Sequence, residues 1–90
     1  MDKTTLPGGE LIAQGLDDLS RGLESVPALL VSIGAPRLRQ LGVPVPRPIP
    51  NPEHRLYEAL RAAHADAAHA RYTALVRRLV SFERAAACAR

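Results

Sequence analysis

Apolar residues recur along the first part of the chain at intervals of three and four. Ile12, Leu16, Leu19 and Leu23 fall on one side of a helical period, while Glu10, Asp17, Asp18, Arg21 and Glu24 fall elsewhere. This spacing predicts a first helix over residues 10–21. Gly15 and Gly22 lie seven apart beside the stripe. Either both admit a closely packed neighbour, or Gly22 simply ends the helix. A second helix is predicted over 25–33, where Ala28, Leu29, Leu30, Val31 and Ile33 are apolar nearly all round. Such a helix is buried on most sides. Ser25 can cap it, Pro27 suits its first turn, and Ser32 can bond back to a carbonyl one turn earlier. Gly34 is expected to stop it in the position after the cap. Ala35-Pro36 then opens a third, very short helix that Gly42 ends.

From Val43 to Pro52 the pattern changes character. Pro44, Pro46, Pro48, Pro50 and Pro52 occupy every second position. Each removes a backbone donor and turns the preceding residue away from the α region. An extended strut follows, rising about 3.1 Å per residue. Asn51-Pro52-Glu53 then reads as a helix start: a cap residue, a proline, an acid in the first turn. The fourth helix runs to about residue 65, with Leu56, Tyr57, Leu60 and Ala63 on one face. The fifth runs to about residue 87, with Tyr72, Leu75, Val76, Leu79, Val80, Phe82 and Ala86. Laid on one continuous helix, these two stripes differ by roughly a third of a turn. A break is therefore expected over 64–67, with Asp66 as a cap, giving a helical hairpin. The fold class is all-α: a tail over 1–9, an N-terminal helical cluster over 10–42, a proline-rich strut over 43–52 and a C-terminal helical hairpin over 53–90.

Composition narrows the setting. The chain has 90 residues, with 47% apolar side chains but two Tyr, one Phe and no Trp, so its core is aliphatic. A chain this short, divided by a spacer, gains from a homodimer or a partner that completes the core. One cysteine, Cys88, allows no internal disulfide, which suits a reducing cytoplasm. No signal pattern opens the chain, and the longest apolar run, 26–33, is too short to span a bilayer. Alanine and arginine in place of lysine and isoleucine suggest a GC-rich bacterial gene. Residues 1–50 hold five basic and five acidic side chains, whereas residues 51–90 hold seven basic and four acidic, the whole of the net +3. The second half therefore favours an acidic partner or nucleic acid.

Catalytic chemistry finds little footing. His64 and His69 are five apart and diverge on a helix, His54 stands alone, and no second cluster could complete a metal shell. Cys88 lies among alanines near the end, where nothing would position a substrate. Ser25, Ser32 and Ser81 lack an elbow or triad context. Asp17 and Asp18 diverge by about 100° and read as a solvated face. Gly8-Gly9 lacks the Lys-Ser/Thr of a phosphate loop. No enzyme, metal or cofactor is expected.

Binding is the remaining class. The second helix, Gly34 and the third helix have the outline of a helix-turn-helix, with Arg37, Arg39 and Gln40 where recognition side chains sit. Arg71, Arg77, Arg78 and Arg84 could form a basic ridge. The strut suggests protein recognition instead, because its apolar tips Val43, Val45 and Ile49 exceed what a bare linker exposes, with Arg47 as a polar anchor. Alternatively the strut folds back and closes the core. The segments Ala28-Leu-Leu-Val-Ser-Ile-Gly-Ala-Pro-Arg-Leu38 and Arg71-Tyr-Thr-Ala-Leu-Val-Arg-Arg-Leu-Val-Ser-Phe82 look like those of small bacterial proteins, and the plan resembles the small helical antitoxins of toxin–antitoxin pairs. That resemblance implies a cytoplasmic protein that wraps a toxin enzyme with extended segments, and in some members binds operator DNA. The expected activity is thus masking of a partner protein, with Arg37, Arg39, Val45, Arg47, Ile49, Tyr72, Arg77 and Arg78 as contacts. The alternative is a small helix-turn-helix-like DNA-binding regulator.

Overall fold

A computed structural model describes residues 5–89. Among them the elements are α1 (Gly9–Ser20), α2 (Val26–Ile33), α3 (Ala35–Gln40), α4 (Pro52–His64), a 3₁₀ turn (Ala65–Ala67) and α5 (Ala68–Cys88), with no strand. The chain is therefore all-α. No helix among the described residues is long and apolar enough to cross a membrane.

The centre is α2, which packs on α1, α3, α4 and α5. Ala28, Leu29, Leu30, Val31 and Ser32 are all buried, as an eight-residue helix apolar on nearly every side requires. Around it gathers one cluster drawn from every helix: Ile12 and Leu19 from α1, Ala35 and Leu38 from α3, Leu56 and Leu60 from α4, and Leu79, Phe82 and Ala86 from α5. Phe82 is the largest side chain that is fully buried.

Gly15 and Gly22 play different parts, in line with the alternative in which Gly22 simply ends the helix. A Cβ on Gly15 would lie 2.3 Å from the Pro27 carbonyl oxygen and 2.8 Å from Val31 Cγ1, so this glycine sets the approach of α2. Gly22 has open space but a φ of +75°. Its N–H bonds to the Leu19 carbonyl and that of Leu23 to Asp18, the paired closure of a helix C-terminus. Beyond that closure Leu23 leaves the stripe and stands 49% exposed. Gly42, with φ +85°, ends α3 the same way through Gly42 to Arg39 and Val43 to Leu38. Gly34 departs from expectation: its φ is −84°, and it clears space for Leu79, whose Cδ1 would sit 2.8 Å from a Cβ there. The chain thus passes from α2 to α3 with a single intervening residue.

Of the two alternatives for the strut, the structure takes the one in which it folds back and closes the core. Val43 and Val45 are 2% and 4% exposed, so they are core and not a displayed edge, and Val45 is no surface contact. Polar bonds fix the segment to the helices beneath. Arg39 Nη2 donates to the Val45 carbonyl at 3.0 Å, and the Ile49 N–H donates to Ser32 Oγ at 3.0 Å. Ser32 meanwhile donates to the Ala28 carbonyl at 2.8 Å, so one hydroxyl satisfies α2 and the strut together. A φ of +46° at Arg47 interrupts continuous polyproline geometry.

Asn51 does open α4, but with φ +50° and no side-chain cap bond; its tolerance of the left-handed region replaces the expected cap. The expected break falls at Ala65–Ala67, where Ala65 takes φ +46° and ψ −109°. Asp66 caps nothing there, since Ala67 holds the cap position of α5. Across the break Tyr57 meets Tyr72 edge-on at 5.6 Å. At the other end, Leu6 packs on the core and a Cβ on Gly8 would lie 3.0 Å from the Arg78 carbonyl oxygen. The inner part of the expected tail is therefore anchored, and positions 1–4 lie outside the described residues.

Candidate functional site

Hollows open between these elements, and two of them bear on function. The first, about 360 Å³, lies where the end of α1 meets the strut, and it is lined by Leu19, Leu23, Glu24, Arg47, Pro48, Ile49 and Arg55 among others. Leu23 is the exposed large apolar residue there, and Glu24 is spanned by Arg55 Nη1 at 2.6 Å. The second, about 280 Å³, lies between α2, α4 and α5, lined by Val26, Leu60, His64, Arg71, Ala74, Leu75 and Arg78. Its floor is aliphatic and its rim carries two guanidiniums and an imidazole. No carboxylate lines it.

Of the eight expected contacts Val45 is buried, and the other seven are scattered over the molecule. Arg47 and Ile49 share the first hollow, and Arg78 lines the second. Arg37 is exposed on α3, where Nη1 reaches Gln40 Oε1 at 3.4 Å. Arg39 is exposed but its guanidinium is committed to the Val45 carbonyl. Tyr72 is half-buried against Tyr57, and burial, aided by Glu53, pushes its phenol above the usual range. Arg77 is exposed on α5 outside both hollows.

Helical register explains why the arginines of α5 do not form one ridge. Arg71 and Arg78 are seven apart and share a strip, as do Arg77 and Arg84; the two strips differ by roughly a third of a turn. The first pair borders an apolar hollow. Arg71, Leu75 and His64 were thus not anticipated as a group. The signal was present in the spacing of residues 71, 74, 75 and 78, but the part played by Val26 and Leu60 depends on how three helices meet.

Asp18 departs from the solvated face that the sequence predicts. It is 6% exposed, and its carboxylate accepts from Gln14 Nε2 at 2.8 Å and from Ser25 Oγ. Ser25 in turn accepts from the Ala28 N–H at 3.1 Å, so α1 and the start of α2 are joined through one hydroxyl. The Ser25 bond, then the Gln14 bond, hold the Asp18 carboxyl below its usual range, with Arg21 helping and burial opposing. Glu83, on α5, is raised by burial, only partly offset by Arg37. Cys88 is exposed, and no three of the described His, Cys, Asp and Glu residues come together as metal ligands.

Comparison with known protein families, with curated proteins and with solved structures gives no match for this chain.

Proposed function

We propose that this chain is a non-enzymatic protein-binding module that masks a partner, in the manner of an antitoxin-like inhibitor. One observation carries the reading: the hollow of α2, α4 and α5 combines an aliphatic floor with a rim of His64, Arg71 and Arg78 and no acid. Apolar centre with charged rim is the anatomy of a protein interface, and arginine is favoured there. Masking would be steric: the surface around α5 covers the partner's working cleft, while the free guanidiniums pair with its carboxylates. Arg77 and Arg78 fit this contact set, joined now by Arg71 and Leu75, whereas Val45 serves the core.

Duplex DNA is less well suited. A six-residue α3 with Arg39 held by the strut offers a short reading element, and phosphates need no aliphatic floor.

Affinity purification of the tagged chain from its source cell, with native mass recorded, tests the reading. One stoichiometric protein partner, inhibited in its own activity by the purified chain, is the expected result. Recovery of the chain alone, as monomer or homodimer, would overturn it. Retention of duplex DNA with steep loss at raised salt would transfer the case to a regulator.

A further inference from the structure

Arg71, Ala74, Leu75 and Arg78 all line the second hollow, and their spacing places them on a single strip of α5. Two helical turns separate the arginines, about 10.5 Å of rise. Between them the strip is apolar, and Val26 and Leu60 carry that floor towards α2 and α4. Among the described residues the ion pairs are Arg21 with Asp17, Arg55 with Glu24 and Arg61 with Glu58; Arg71 and Arg78 have no acid within reach. The hollow thus reads cation, apolar floor, cation, at helical spacing.

The complement of that pattern is anion, apolar knob, anion, at the same spacing. A guanidinium fork pairs best with a carboxylate, and two such pairs set in line fix both position and direction. A helix meets the requirement with acids seven residues apart and large apolar side chains three and four residues after the first. This chain has a register-matched pair of its own on α1, Glu10 and Asp17. Ala13 and Gln14 stand between them, however, and Asp17 is already paired with Arg21 at 3.2 Å. That strip lacks a knob for the floor, so a second copy is a poor occupant.

We infer that the hollow of α2, α4 and α5 docks an acidic amphipathic helix of a partner protein, its two carboxylates on Arg71 and Arg78 and its apolar side chains over Leu75, Leu60 and Val26. This rests on the protein-binding reading above and names the segment of the partner that is bound.

The test is fluorescence anisotropy with the full chain and a labelled synthetic helix bearing two glutamates seven positions apart and two leucines between them. Binding by the wild type should be saturable. Replacing the leucines by serine should weaken it about tenfold, as should the double variant Arg71→Glu/Arg78→Glu. Both arginines are exposed, so circular dichroism should show the variant folded; single Arg→Gln variants give smaller losses if it is not. A peptide with lysines for glutamates should bind the double variant and not the wild type. Lack of wild-type binding, indifference to the charge reversal, or tighter binding of a DNA duplex to the same arginines would each overturn the inference. Capture of the native partner separates the two levels. A partner held equally by wild type and double variant removes the helix-docking inference alone, while absence of any partner removes the protein-binding reading with it.

Discussion

At the residue scale, two positions on α1 carry much of the specification. Gly15 is a glycine because the Pro27 carbonyl occupies the space a side chain would need. Gly15→Ala would normally favour a helix by about 1 kcal/mol, but here it should destabilise the fold by about 1–3 kcal/mol through overpacking, read as a lower urea midpoint. A raised midpoint would mean that α1 and α2 are less closely apposed. Asp18 predicts a pH dependence. Its folded-state pKa lies below the ordinary value of 3.8, so folding favours the ionised form. The contribution is full above that ordinary value and is lost as pH falls through the lowered one. Glu83 works in the opposite sense: raised by burial, it disfavours the fold above its folded pKa, and the cost is relieved as pH falls through it. Asp18→Asn should therefore be less stable than wild type near neutrality, and the gap should close in acid. A gap unchanged down to about pH 2 would show that the carboxylate charge contributes nothing.

At the element scale, the strut and the helix ends show what local pattern can and cannot specify. Periodicity placed all five helices within a residue or two of their observed bounds, because glycines, prolines and Ser25 punctuate the chain so densely. The break after α4 was readable because two apolar stripes out of phase cannot serve one straight helix. Whether the strut lies open or closes the core was not readable, since proline fixes local geometry and says nothing of what lies beneath. The answer depends on Ser32 and Arg39, whose side chains hold the strut from other elements. Because Val45 is buried, Val45→Ser should cost about 2–3 kcal/mol of stability, from lost apolar burial and an added hydroxyl. Urea unfolding checks this; a change near zero would mean that the strut is detached in solution.

At the scale of the whole molecule, a small core, aliphatic apart from Phe82, is shared among all the helices and the strut, in a body of 38 × 25 × 18 Å. That sharing leaves the basic half of the sequence with a partly uncovered strip. Of the arginines on α5, spacing alone separates two pairs, but only assembly reveals that Arg71 and Arg78 flank an apolar hollow completed by Val26 and Leu60. Net charge is compatible with an acidic partner or with nucleic acid and locates a surface for neither. The most direct test is site-specific photo-crosslinking in the source cell, with the crosslinker at Ala74 in the hollow and, as a control, at exposed Ser20 on α1. One discrete protein adduct at Ala74 and none at Ser20 is the predicted result. Adducts at Ser20 with none at Ala74, or none at either position, would contradict a docking surface on α5.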